Sequence, residues 1–179
     1  MSVNFTYPKV NFKENSDIEK YFIETAYKYF DLEELLSESI INNYGQKGLQ
    51  FMDIRCLQTL VGIREWFKYP VFVNNWKYLK DNKIKNQMVF DSRICRFPDD
   101  ESYTEGSEHS VKIGANGSIV KKSRAIDYDV KGFSAAEVRA VIKANKNTKP
   151  FNIIMRMELS NWNHNDFKPI TNRIVEFGK

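Results

Sequence analysis

The stretch SRAIDYDVKGFSAAEVRAVIKANK, Ser123 to Lys146, decides the fold class. Its first half, RAIDYDV, has the β-branched and aromatic content of a strand. Its second half opens with Ser134 and carries Glu137 three residues on. That reciprocal pattern is a capping box, so a helix follows. A strand feeding a helix would suit a doubly wound sheet if such units alternated along the whole chain, and elsewhere they do not.

Upstream, NSDIEKYFIETAYKYF places Ile18, Tyr21, Phe22, Ala26 and Tyr29 at helical spacing behind an N-cap at Asn15 or Ser16. DLEELLSESIINN reads as a second, shorter helix, stopped near Asn43 and Gly45. MDIRCLQTLVGIREWF is the clearest helix, with Asp53 at its start and Ile54, Leu57, Leu60, Val61 and Trp66 on one face; it ends before Pro70. Downstream, strands dominate: PVFVNNW, FNIIMRMEL, NRIVEF, and two short strands in VKIGANGSIVKK joined at Asn116-Gly117, a strong hairpin signal. Between Lys77 and Glu108 the chain is irregular and polar, with FPDDESYTEG as loop. Helices early and strands late predict an α+β fold, N-terminal helices packed on a small, mainly antiparallel sheet. At 179 residues this is one domain, with a helical part at 1–69 and a sheet part at 70–179.

Composition excludes several classes. An aromatic content of 14% is too high for a disordered chain. A net charge of +4 without a dense Lys/Arg stripe gives little support to nucleic-acid binding; it would suit an anionic polymer such as a cell wall, though weakly. The basic run YLKDNKIKNQ reads as a solvated face rather than a polymer-binding patch. No apolar run approaches the roughly 20 residues of a membrane-spanning helix, and MSVNFTYPKVNF lacks a signal-peptide pattern. Cys56 and Cys95, far apart and outside any CxxC pair, read as reduced, buried thiols, with a single disulfide as the alternative.

The chain has only two histidines. His164 lies in MELSNWNHNDF, after an apolar run and between Glu158 and Asp166. His109 lies in GSEHS. With Asp127 on a predicted strand, they make two imidazoles and a carboxylate, a standard ligand set for catalytic Zn²⁺ that leaves a fourth position for water. Such a metal lowers the pKa of water toward about 7. Glu158 is the first candidate for the base, and Asp166 for the group that orients a histidine ligand through its second nitrogen. The structural alternatives are ordinary histidines, an acid that ends a strand at Asp127, and a solvated strand residue at Glu158. No HExxH helix is present.

In order along the chain, GSEH, SRAIDYDVKG and ELSNWNHND resemble the zinc D-Ala-D-Ala carboxypeptidase and L-alanyl-D-glutamate endopeptidase group, whose fold is shared with the hedgehog signalling domain. Ser107, Glu108 and His109 match its Ser-x-His. Ser123 to Asp127 match its Gly-x-Ala-x-Asp, with Ser123 where glycine is usual. Trp162, Asn163 and His164 match its Trp-x-His, and Glu158 stands where the hedgehog-like branch has its catalytic glutamate. Short phage-type members look most similar, through Asn74-Asn75-Trp76, Arg93-Ile94-Cys95-Arg96 and DVKGFSAAEVR. The resemblance covers roughly Asp31 to Phe167.

It implies a zinc-dependent peptidase acting on peptidoglycan stem peptides. His109, Asp127 and His164 would hold Zn²⁺ and Glu158 would be the catalytic base. Ser107 and Arg93 or Arg96 would face substrate, one arginine binding its carboxylate; the alternative for the arginines is an ion pair with the acids of PDDE. Asp166, Trp162, Asn75 and Trp76 would stand around the ligands, with Trp76 equally suited to the core. A phage-derived wall hydrolase is implied, in the host cytoplasm before release or on the virion with virion proteins as partners. The alternative is a virion or wall-binding protein that keeps the fold without turnover. One departure is the insertion Ser110–Lys122, between His109 and Asp127 where the family has a short spacer. It would restrict the cleft, project into solvent, or mark a lost site.

Overall fold

Strand β4, Ala125–Val130, organises the molecule. In the computed structural model, which describes residues 5–168 and 175–178, β4 lies inside a five-stranded sheet. The other members are β1 (Val71–Phe72), β5 (Arg156–Glu158), β6 (Asn163–Asp166) and β7 (Val175–Phe177), in the order β1-β4-β6-β5-β7. All pairings are antiparallel except β5 with β7. Strands β2 (Lys112–Ile113) and β3 (Ile119–Lys121) form the separate hairpin. The described helices are α1 (Asp17–Ala26), α2 (Leu32–Leu35), α3 (Glu38–Tyr44), α4 (Ile54–Phe67), α5 (Trp76–Asp81) and α6 (Ala135–Ala144). The fold is therefore α+β, with a small mixed sheet. None of these helices is long and apolar enough to cross a membrane.

The period of two along a strand divides the sheet chemically. Ile126, Tyr128 and Val130 of β4, with Met157 of β5, join the core formed with Leu57, Leu60 and Ile63 of α4 and Val138 and Ile142 of α6. The opposite face of β4 carries Ala125, Asp127 and Asp129. Register places Asp127 opposite His164 and Ala125 opposite Asp166, and Asp166 opposite Arg156. One face of the sheet is thus a core wall, and the other is a plane of charged groups.

The caps follow the sequence. Ser16 caps α1 and Ser134 caps α6, each with the full capping box. Several expectations are corrected. DLEELLSESIINN is two helices: Leu36 is extended, and Ser37 accepts from the Ile40 N–H to start α3. Trp66 lies off the buried face of α4, which is made by Cys56, Leu57, Leu60, Ile63 and Phe67. PVFVNNW is strand only at Val71–Phe72, and Trp76, its last residue, begins α5, which runs on into the region read as irregular. In FNIIMRMEL, Phe151–Ile153 form a 3-10 turn and only Arg156–Glu158 pair. In NRIVEF, Val175–Phe177 are strand, and positions 172–174 lie outside the described residues. Cys56 and Cys95 are free and buried.

β6 holds the largest surprise. Every residue of Asn-His-Asn-Asp is polar, yet all four are buried in the middle of the sheet. Asn165 survives there because its Oδ1 accepts from the Tyr128 hydroxyl at 2.6 Å. Tyr128→Phe removes that donor and leaves a buried acceptor alone, which costs about 1–3 kcal/mol. Urea denaturation should show this as a lower midpoint with an unchanged slope.

Candidate metal centre

Three separate segments bring the two histidines and Asp127 together. The β4–β6 ladder sets Asp127 beside His164. His109 comes from a loop tied to the Arg93–Phe97 segment: the Arg96 N–H donates to the His109 carbonyl at 3.0 Å, and Val111 N–H to the Arg96 carbonyl at 3.0 Å. The same segment is joined to β4, where Asp127 N–H donates to the Arg93 carbonyl at 2.9 Å.

His164 Nδ1 stands 2.7 Å from Asp127 Oδ1 and 3.2 Å from His109 Nε2. His109 Nε2 stands 3.4 Å from Asp127 Oδ1. Four-coordinate zinc with bonds of about 2.0–2.1 Å separates its ligand atoms by about 3.3 Å. Two of the three edges match that separation and the third is shorter. His109, Asp127 and His164 could therefore hold a metal ion.

The hydrogen bonds behind the ligands fix which atoms face inward. His109 Nδ1 lies 3.0 Å from the Ile94 carbonyl, which can only accept, so Nδ1 carries the proton and Nε2 offers its lone pair. His164 Nε2 faces Asp166 Oδ2 at 3.7 Å. Asp127 Oδ2 accepts from Arg96 Nη2 at 3.0 Å, leaving Oδ1 to the cluster. Two acceptor atoms, His109 Nε2 and Asp127 Oδ1, thus converge on His164 Nδ1. Their lone pairs repel unless a proton on His164 Nδ1 or a metal ion lies among them.

The charges around the metal-free site favour the same conclusion. Burial presses His164 toward the neutral form, but hydrogen bonds and charge from Asp127 and Asp166 outweigh it and raise its pKa to about 9. Burial lowers that of His109, against the pull of Asp127. Burial would raise Asp127, yet the two imidazoles hold its carboxyl well below the usual range. Below about pH 9, then, a metal must displace the His164 proton, because metal ligands bind deprotonated. Zinc affinity, read by chelator competition, should rise about tenfold per pH unit between about pH 6.5 and pH 9. A flat profile would show that His164 Nδ1 is not the coordinating atom. The linkage to folding has its own sign. His164 stabilises the metal-free chain fully below its ordinary unfolded value, and the contribution is lost as pH rises through about 9.

The surroundings separate the two acids that flank His164. Asp166 is fully buried and clamped by Arg156, with Nη2 at 2.6 Å and Nε at 2.9 Å. Burial would raise its pKa, but His164 and Arg156 bring it below the ordinary value. Glu158, with a side chain 29% exposed, has Oε2 4.0 Å from His164 Nδ1 and lines the cleft of about 320 Å³ in front of the cluster. Trp162 and Lys168 line it too. A second groove of about 930 Å³ adjoins this cleft, sharing Arg96, Asp127 and Trp162 with it.

Other sequence-derived candidates are placed differently. Arg93 is buried and paired with Asp129 at 2.8 Å, over the ring of Phe90. Arg96 is paired with Asp127. Both make ion pairs, but with acids of β4 rather than with those of PDDE. Ser107 borders the cleft, with its hydroxyl accepting from the His109 N–H at 3.2 Å. Asn75 and Trp76 line neither cavity. The Asn75 amide fastens Met88 and Phe90, a wall of the large groove, and Trp76 Nε1 donates to the Leu36 carbonyl. Arg156 went unread, although its place two residues before Glu158 on a predicted strand puts both on one face. Phe177, edge-on to His164 at 5.7 Å, carried no comparable signal.

No protein-family model, curated protein or solved structure matches this chain.

Proposed function

We propose that this chain is a zinc-dependent peptidase acting on peptidoglycan stem peptides, of the D-Ala-D-Ala carboxypeptidase and hedgehog-like fold and phage-derived. The observation that carries the reading is the convergence of His109 Nε2, Asp127 Oδ1 and His164 Nδ1, with Glu158 beside them in the cleft and Asp166 clamped behind.

Zinc held by these three residues supplies a Lewis acid that polarises a scissile carbonyl and eases deprotonation of water. The chain's own groups do the rest. Glu158 takes the proton of the attacking water and returns it to the leaving amine, the ordinary work of a general acid–base. Asp166, fixed by Arg156, orients His164. Arg96 turns Asp127 so that one oxygen faces inward. The large groove beside Arg96 and Trp162 gives an extended peptide room to lie alongside the reacting bond.

The non-catalytic reading drew on the insertion and on Ser123, and neither disturbs the cluster. Ser123 is buried, and its hydroxyl donates to the Ile94 carbonyl at 2.6 Å, the same carbonyl that anchors His109. Mass spectrometry of purified peptidoglycan after incubation with zinc-loaded protein tests the proposal. New stem-peptide fragments that are absent with chelator support it, and an unchanged digest from zinc-loaded protein would overturn it.

A further inference from the structure

The hairpin neither covers the cleft nor stands free in solvent. None of residues 111–122 lines either cavity beside the cluster. Its turn is pinned to the N-terminal segment: Asn11 N–H donates to the Gly117 carbonyl at 2.8 Å, and Asn11 Nδ2 to the Asn116 carbonyl at 2.6 Å. Gly117 has φ +79, and a Cβ there would stand 2.8 Å from the Lys9 carbonyl, so the close approach needs glycine. At the other end, Lys122 pairs with Glu19 of the α1 capping box at 3.3 Å.

The base of the hairpin meets the loop that carries His109. Lys121 Nζ donates to Ser110 Oγ at 2.7 Å and to the Ser107 carbonyl. Ser110 Oγ itself donates to that carbonyl at 2.6 Å. These partners bracket His109, whose own N–H is held by Ser107 Oγ at 3.2 Å. A single ammonium thus bonds the chain both before and after the ligand.

We propose that the hairpin is a brace for the metal centre, with Lys121 as the positioning residue that holds the loop of His109. The inference rests on the metal reading. Lys121 touches neither the cleft nor the ligand atoms; it acts by keeping Ser107 and Ser110 in place, so that His109 Nε2 is presented without further ordering. Losing such an outer partner lowers metal affinity by roughly 10–100-fold.

The test uses Lys121→Met, Lys121→Arg, Lys122→Met and Ser110→Ala in the full chain. Zinc affinity is read by chelator competition, amide exchange is read across Ser107–Val111, and the melting of each metal-free variant is recorded. Lys121→Met should lower zinc affinity by roughly 10–100-fold and speed exchange in that loop, with melting close to wild type. Lys121→Arg should restore most of the affinity. Lys122→Met, which removes an adjacent lysine paired elsewhere, should change neither readout. Ser110→Ala, which removes one acceptor of Lys121, should shift both in the same direction by less. Wild-type affinity and exchange in Lys121→Met would overturn the brace. If the wild-type chain takes up no zinc, the metal reading fails on its own, and exchange still decides whether Lys121 holds the loop.

Discussion

His164→Ala should abolish zinc uptake, which is expected at about one ion per chain in the wild type. The imidazole supplies Nδ1, the atom nearest to both other ligand atoms, at 2.7 and 3.2 Å. Without it, one imidazole and one carboxylate remain, and the carboxylate is already satisfied on its other oxygen by Arg96. Two ligands do not make a closed or catalytic zinc site. The fold should survive, because the groups around His164 have partners of their own. Asp166 keeps Arg156, and the β4–β6 ladder is made of backbone. His109→Ala should strip the metal equally, through a loop outside the sheet. Elemental analysis after dialysis against zinc gives the stoichiometry, and circular dichroism reports the fold. Wild-type protein offered zinc in this way and still metal-free would sink the metal centre. Two alanine variants that kept their zinc would place the ion elsewhere.

What could be read from the sequence follows from which forces are local. Helix starts were legible because caps are local: Ser134–Glu137 is a capping box written within four residues, while at α1 the choice between Asn15 and Ser16 is made by the structure, which gives Ser16 with Glu19. The hairpin was legible because Asn116-Gly117 allows few other turns, and Gly117 does take the left-handed conformation. β6 was not. Strand recognition looks for apolar alternation, whereas Asn163 to Asp166 are polar on both faces and are buried by their neighbours. The ligands were reached through the scarcity of histidine and through motif order, while their partners were harder to find. For Arg93 and Arg96 the sequence offers a substrate carboxylate or an ion pair with PDDE, because an arginine and nearby acids look complementary in sequence. In space β4 runs alongside and offers Asp129 and Asp127 first. The brace of Lys121 was equally hidden, since its hydrogen bonds span 11 and 14 residues and no short motif encodes them.

Glu158→Gln should keep zinc and lose turnover by on the order of 10²–10⁴-fold, the usual contribution of a general base. Glutamine has nearly the same shape and still fits where Glu158 lines the cleft, but it cannot take a proton. Binding should change little, so the loss falls on kcat and not on KM. Asp166→Asn is the contrasting case. Whereas the Glu158 side chain is partly exposed in the cleft, Asp166 is fully buried. Its oxygens are occupied by Arg156 on one side and face His164 Nε2 on the other. Replacing it leaves the half-buried Arg156 guanidinium partly unpaired and frees His164 to turn. The expected result is roughly 10–100-fold weaker zinc binding, and at saturating zinc most of the turnover should return. Titrating zinc into both variants while following cleavage separates the two roles. Activity that recovers with zinc in Asp166→Asn, and stays low at every zinc level in Glu158→Gln, assigns orientation to the first acid and proton transfer to the second. The reverse pattern would move the base to Asp166, and the clamp by Arg156 would then have to open during turnover to free a carboxylate oxygen.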